Sequence, residues 1–428
     1  MHRGILLNVE RFIAKRISGT KTGKDNISKP IVKIGIIGIS LGISVMLLTI
    51  SIVLGFKKEI ISKITGLTTD IVISGIDQNP GGESTPTKIS EDTLKLIRQL
   101  PFTKHLQKTA FKNGLLKTEH ENEGILLKGV TKDYDFSFIQ KHLLEGKLPE
   151  FKEDEASKDI LVSKSLCDKM DLNLKQKIQI HFLVQHEVTD SLSGDTFVKT
   201  EQRSRTFSIC GIFKTDFSDF DDKISLIDLR QIQNLNYWTH DMAGKYELRI
   251  KDFEQLEQNQ EQLLDLLGYN YNVLNVREVY SNIFIWLDKL DINGVIIVVL
   301  MILVATINMI TALLILILER TNMVGLVKAL GMNNADVRKI FLNISYRLIG
   351  KGMLWGNIVG IGLCLLQYYF KIAKLDSETY YVEFVAIDIN WFYFLLLNIG
   401  TFVTCAIMLF LPSLIITRLT PIKTLKFD

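Results

Sequence analysis

The sequence lacks the parts that an enzyme of this size would need. An ATPase carries a glycine-rich loop ending in Lys and then Ser or Thr, whose backbone amides cradle phosphate. The nearest stretch, Gly19-Thr20-Lys21-Thr22-Gly23-Lys24-Asp25, is one residue short and lacks the hydroxyl, so the chain is not expected to hydrolyse ATP by itself. No Gly-x-Ser-x-Gly elbow is expected either. His181 and His186 have no carboxylate or thiol at ligand spacing to complete a metal set. Asp216, Asp219, Asp221 and Asp222 lack the glycine and terminal glutamate of a calcium loop and read as an acidic turn, while Glu119, Glu121 and Glu123 alternate on a strand-turn that faces water. Cysteine is scarce, at four. Cys364 and Cys405 read as apolar packing residues, and Cys167 and Cys210 as either a disulfide in an oxidising compartment or two buried thiols. A net charge of +3 gives no case for nucleic acid. No catalytic residue, metal site or cofactor is assigned to this chain.

What the sequence has is four long uncharged runs: Ile34–Leu54, Ile292–Leu318, Gly352–Phe370 and Ile389–Thr417. At 1.5 Å per residue the shortest reaches about 28 Å, enough for a hydrocarbon core of roughly 30 Å. All four are expected to span a membrane. The first run exceeds the hydrophobic region of a signal peptide, no small-residue cleavage site follows, and Gly55-Phe56-Lys57-Lys58-Glu59 reads as helix running on, so it is expected to be retained.

Charge orients the spans. Residues 1–33, 319–351 and 418–428 together carry +12, whereas the 235 residues from Lys57 to Asp291 carry −7. The basic segments are expected in the cytoplasm and the large domain outside. Trp286, Tyr368, Tyr369, Tyr380, Tyr381, Trp391 and Tyr393 all fall at the outer ends, where interfacial aromatics belong. Before the first span, Ile5, Leu6, Val9, Phe12, Ile13 and Ile17 recur at helical spacing opposite Arg3, Arg11, Lys15 and Arg16. An amphipathic helix on the inner membrane surface is predicted there, with a disordered basic leader as the alternative.

The outward domain reads as α+β. Asp70–Ser74 alternates into a strand, residues 79–86 form a turn-rich loop, and Ser90 opens a helix through Leu100. Strands are predicted at Gly114–Lys117 and Gly124–Gly129. Far downstream, a strand at Lys245–Lys251, a helix at Phe253–Leu267 and a strand at Tyr271–Val276 complete the same subdomain, which is therefore split by a β-rich insertion at about 146–234. Within the insertion, Ile160–Ser163 and Lys177–Val184 are joined by a short helix, and Thr206–Phe213 pairs with the latter strand across a polar excursion, Gln185–Arg205. Long loops on compact domains often carry function, a plain solvent loop being the alternative.

Two features suit a mechanical role. Gly35, Gly38 and Gly42 line one span, and Gly352, Gly356 and Gly360 form two GxxxG steps in another, which lets helices approach closely in a bundle or a dimer. After the second span, Met323, Val324, Leu326, Val327, Leu330 and Met332 make a short apolar helix closed by Gly331, and Asn333–Asp336 caps a further helix, Val337–Leu348. An apolar helix facing cytoplasm needs either a protein partner or lipid.

At Glu319–Gly331, at Gly55–Ile60 and at Pro412 with Arg418–Leu425, the chain resembles the MacB/FtsX superfamily of ABC-transporter permeases, and more narrowly the lipoprotein-releasing permeases of the LolC and LolE type. The resemblance covers the whole chain and implies a membrane protein of four transmembrane α-helices with a large α+β extracytoplasmic domain, made of a split porter-like subdomain and an inserted β-rich, sabre-like one. The segments become a cytoplasmic amphipathic helix 1–30, transmembrane helices 31–56, 292–318, 349–370 and 389–417, a periplasmic domain 57–291 (porter-like 67–145 and 235–280, sabre-like 146–234), a coupling loop 319–348, a short periplasmic loop 371–388 and a cytoplasmic tail 418–428.

The resemblance further implies a permease subunit in the bacterial inner membrane. Its partners would be a cytoplasmic ABC ATPase, which holds ATP and magnesium, a second permease chain, lipoprotein cargo, membrane lipid and a periplasmic chaperone. The residues expected to dock the ATPase are Met323, Val324, Gly325, Leu326, Lys328, Ala329, Leu330 and Gly331; the wider superfamily often has an acidic residue where Met323 stands, so apolar docking is expected. Acyl chains would follow Val45, Leu48, Ile52, Phe56, Ile296, Leu300 and Leu303, for which lipid-facing or dimer packing is the alternative. The hairpin tip Val188, Thr189, Asp190, Ser191, Leu192, Ser193 and Gly194 would meet the chaperone. A relative of the FtsX kind, which activates an outside partner without moving cargo, is the second reading.

Overall fold

The computed structural model describes residues 28–76, 82–118, 121–189 and 196–409. The amphipathic helix predicted before Ser28, residues 79–81 of the turn-rich loop, Glu119, the tip from Asp190 to Gly194, the end of the fourth run and the terminal motif at Pro412–Leu425 lie outside the described residues. Two units emerge: a helical one, 1–58 with 286–374 and 384–428, and a sheet-based one, 59–285 with 375–383.

Among the described residues, four helices are long and apolar enough to cross a membrane. They occupy Ser28–Leu67, Ser281–Glu319, Asn334–Phe370 and Trp391–Met408 and are called the first to fourth spans. The helix predicted at Val337–Leu348 and the third span are one helix. Gly350 and Gly352 lie inside it, and the absent side chain at Gly352 admits Ile39 of the first span. The helical core is Ile39, Ile43, Met46 and Leu47 of the first span against Met309 and Leu313 of the second, Ile340, Phe341 and Ile344 of the third and Leu397 of the fourth.

The glycines of both stripes lie at helix contacts. A Cβ at Gly38 or Gly42 would approach Asn308 or Ala305 of the second span, and one at Gly352, Gly356 or Gly360 would collide with Ile39, Ile43 or Leu47. The first span therefore packs on the second with one face and on the third with another. Asn357 and Asn398 exchange amide hydrogen bonds of 2.7 and 2.9 Å between the third and fourth spans, satisfying two polar groups that lipid cannot.

Among the described residues, the sheet unit has ten strands: β1 Ile71–Ser74, β2 Thr103–Lys117, β3 Asn122–Val130, β4 Leu143–Gly146, β5 Asp159–Ser163, β6 Lys177–Thr189, β7 Thr196–Phe213, β8 Ile224–Asp228, β9 Lys245–Ile250 and β10 Asn272–Asn275. Their order is β10-β1-β9-β2-β3-β8-β5-β7-β4, with β6 paired to both β2 and β7. The pairs β3–β8 and β5–β7 are parallel and the others antiparallel. Segments far apart in sequence meet at one end, where β1 lies between β9 and β10. The strands of the insertion extend the same sheet, and their core gathers Leu127, Ile160, Val162, Ile180, Phe182, Phe207 and Ile232.

Three local readings are corrected. The strand predicted at Gly114–Lys117 is the last part of a strand that starts at Thr103, whose Gln107, Thr109 and Lys112 are polar yet buried. The strand predicted through Val276 stops at Asn275, whose side chain accepts from the Glu278 amide while Glu278 answers from N3, a capping box that starts the helix Val276–Val279. The polar excursion Gln185–Arg205 is a paired ribbon along most of its length, in register from Lys177↔Ser208 to Thr189↔Thr196.

Candidate functional site

The loop after the second span has a defined geometry. Arg320 leaves the helical region (φ −103°, ψ 19°) and a second helix, Thr321–Ala329, begins. It ends as apolar helices often do, with a left-handed residue after the last turn: Gly331 has φ +95°, its N–H donates to Lys328 O at 3.0 Å, and the Met332 N–H donates to Val327 O at 3.2 Å. Asn333, extended, then caps the third span.

This helix separates the eight predicted docking residues. Val324 is fully buried in the same core as Val337 and Phe341, and Gly325 is buried beside it. Met323 and Lys328 are half-buried, and burial lowers the Lys328 ammonium from its usual range. Leu326 is 54% exposed, Leu330 80%, and Ala329 and Gly331 are exposed with them. One face thus roots the helix, and a small apolar tip of Leu326, Ala329 and Leu330 is left uncovered.

The predicted acyl-path residues are less united. Val45, Leu48 and Ile52 are half-buried and recur at helical spacing along one stripe of the first span, whereas Phe56 is buried, edge-on to Trp286 at 5.5 Å. On the second span, the face that meets the first carries Gly294, Met301, Ala305 and Asn308. Ile296, Leu300 and Leu303 lie off that face, each about half exposed, so the structure does not bring them against Val45, Leu48 or Ile52.

Sequence reasoning missed an ionic clasp at the same end of the spans. Lys57 pairs with Asp291 and lies 3.8 Å from Asp288, both in the second span ahead of its uncharged run, and Lys58 pairs at 2.8 Å with Asp388, which leads into the fourth. The Asp388 N–H donates to Ser51 O at 3.0 Å, and the loop crosses so close to Gly55 that a Cβ there would meet Ala386 O and Asp388 N at 2.6 Å. Two lysines just after one uncharged run, with aspartates just before two others, were the available signal.

Of the tip predicted to meet a chaperone, Val188 and Thr189 belong to β6. The remaining features read from sequence fall into place locally. Gly38-Ile39-Ser40-Leu41-Gly42 does match the Gly-x-Ser-x-Gly pattern, but inside the first span and not on a strand-to-helix turn. Asp221 is buried and accepts from the Thr215 hydroxyl and the Thr215 and Asp216 amides, which ties the acidic turn to its own backbone. Cys167 and Cys210 are free thiols, pushed by burial up to about 11 and about 12.

Comparison with known proteins bears on this geometry. The family description MacB-like periplasmic core domain matches residues 34–266, and FtsX-like permease C-terminal matches residues 295–421. The chain is 24% identical over 397 residues to a lipoprotein-releasing system transmembrane protein LolC of Buchnera aphidicola subsp. Schizaphis graminum, covering 90% of each. It is 21% identical to a LolE of Haemophilus influenzae over 98% of this chain and 100% of that one. Among solved structures, the periplasmic region of MacB from Actinobacillus actinomycetemcomitans aligns with 51% of this chain and 95% of that one, at 14% identity and a TM-score of 0.33.

Proposed function

Because the chain belongs to the MacB/FtsX superfamily of ABC-transporter permeases, we propose that it is the permease subunit of a transporter that releases lipoproteins from the bacterial inner membrane. In this reading a separate cytoplasmic ATPase binds ATP with magnesium and docks on the helix Thr321–Ala329. Movement of that helix passes along the second span, and the domain outside expels a lipid-anchored protein to a periplasmic chaperone. The N-terminal and C-terminal segments face the cytoplasm, a reading supported by their positive charge.

The observation that carries the proposal is the uncovered tip Leu326, Ala329 and Leu330 on a helix rooted by Val324. A loop with no partner would bury or replace two large apolar side chains at its apex.

Photo-crosslinking tests the transport step. A photoreactive residue at Leu48 or Leu300 of the assembled complex is expected to capture lipoprotein, and the adduct is expected to vanish when the cargo lacks its lipid. Adducts to the second permease chain alone would mean that these positions are packing surface, and would favour the reading in which the complex activates an outside partner without moving cargo.

The β6–β7 ribbon is assigned to the chaperone, and the support for this is that its two strands stay paired with each other as far as Thr189↔Thr196. Replacing residues 190–195 by a two-residue turn keeps the strand register, since hairpin loops of that length are the commonest kind. Such a variant is expected to hydrolyse ATP at the normal rate while failing to hand cargo to the chaperone. Normal transfer would remove the ribbon tip from the pathway.

A further inference from the structure

The last turn of the first span's helix is held by two cations from the sheet. Helices leave their final carbonyls without intrahelical partners, and positive charge is favoured there. Here the Lys128 Nζ, from β3, donates to Leu67 O at 3.0 Å, and the Arg249 Nη2, from β9, donates to Thr65 O at 2.7 Å. Lys128 is completely buried and lies 2.9 Å from the Glu247 carboxylate of β9. Glu247 also accepts from Gln107 Nε2 at 2.8 Å and Thr109 Oγ1 at 3.1 Å. The Lys128 ammonium sits 5.1 Å from the Tyr134 ring centre, and Arg249 reaches Asp135 at 3.4 Å. Burial works against the charged Lys128, but the Glu247 carboxylate outweighs it and holds the ammonium above its usual range.

The chain leaving that turn is fastened as well. Asp70 Oδ2 accepts from the Ile250 N–H at 2.8 Å, and Asp70 O accepts from the Val276 N–H at 2.9 Å, five residues before the second span's helix begins. A buried ion pair is weak support for stability, since apolar residues of similar volume pack as well or better. What apolar residues cannot do is bond the carbonyls of Thr65 and Leu67.

We propose that Lys128, Glu247 and Arg249 are positioning residues that bind the end of the first span to the sheet, so that displacement of that helix is delivered to the domain and not lost in fraying of its last turn. This deepens the transport reading and rests on it. The Lys128→Met/Glu247→Gln double variant removes the bond to Leu67 without leaving a lone buried charge, and Arg249→Met removes the bond to Thr65 at a partly exposed position. Both are to be tested in the full complex in proteoliposomes, with ATP hydrolysis, lipoprotein released per ATP, and amide exchange of residues 64–70 as readouts.

Both variants are expected to keep ATP hydrolysis, to release roughly fivefold less lipoprotein per ATP or lower, a coupling loss of ordinary allosteric size, and to exchange faster at 64–70. Arg249→Lys, which retains a donor, is expected to recover release. Unchanged release per ATP, or unchanged exchange, in Arg249→Met overturns the proposal, and that variant stands alone if the double variant does not fold. A wild-type complex that hydrolyses ATP without releasing lipoprotein would refute the transport reading itself, and the exchange measurement then decides the anchor separately.

Discussion

Leu330→Asp is expected to abolish capture of the ATPase by a permease that still folds and inserts. Leu330 is 80% exposed, so a carboxylate there costs the isolated chain little. In the complex the same charge lies in an apolar contact with no partner, and losing an interface anchor of this kind costs about 2 kcal/mol or more, roughly thirtyfold in affinity. Gly331→Pro reaches the same end by another route. Proline fixes φ near −65° and has no N–H, whereas Gly331 needs φ +95° and donates to Lys328 O. The control is Val324→Asp, which puts a charge at a fully buried position and is expected to unfold the loop from its root in the third span. Pull-down of the ATPase with detergent-extracted permease, read beside the thermal stability of the permease alone, separates the two. Undiminished capture by both Leu330→Asp and Gly331→Pro would place the ATPase elsewhere on the chain.

Sequence pattern made the spans, the strands β1, β9 and β10 and the cap at Ser90 legible, because each follows from local chemistry: a long uncharged run, alternation in a half-buried strand, a hydroxyl before a helix. The first half of β2 was not legible for a physical reason. Gln107, Thr109 and Lys112 are polar, and they are buried because Glu247 and Glu83, from distant segments, satisfy them. No local window shows that Lys128, in a strand read correctly, is buried as an ion pair with a residue 119 positions away. The ribbon failed differently. Residues 199–205 are all polar, with half-buried Arg203 and Glu201 pairing with each other, so the apolar alternation that marks the strand from Lys177 to Val184 is absent from the sequence there.

The coupling loop was legible as an apolar helix closed by Gly331, but not as two faces. Heptad-like spacing shows which residues lie together on a helix; it does not show that Val324 finds Val337 and Phe341 while Leu326 and Leu330 stay exposed among the described residues. That distinction turns eight candidate residues into a root and a tip, and it is why the two substitutions above have opposite expected consequences for folding. The acyl path was the weakest reading, since apolar residues are uniform along a span and only the glycine contacts reveal which face is already taken.

Those contacts give the second large effect. Gly356→Leu is expected to destabilise the helical bundle, because a Cβ at this position would stand 2.8 Å from both Ile43 Cβ and Ser40 O of the first span. Backbone oxygen cannot rotate aside as a side chain can, so the two helices must separate. They would also lose the hydrogen bond from Ser44 Oγ to Gly356 O, 2.9 Å long and buried. Overpacking of this kind costs about 1–3 kcal/mol where neighbours can shift, and the upper end is expected here because the obstruction includes backbone. Helix propensity works in the other direction, as replacing a helical glycine by leucine favours the helix by up to about 1 kcal/mol. Gly362, on the same helix with nothing within 4 Å of its would-be Cβ, isolates that gain. In detergent, Gly362→Leu is therefore expected to match or slightly exceed the wild-type unfolding midpoint, and Gly356→Leu to fall several degrees below it. Equal midpoints for the two variants would mean that the first and third spans do not approach as closely as Gly352, Gly356 and Gly360 allow.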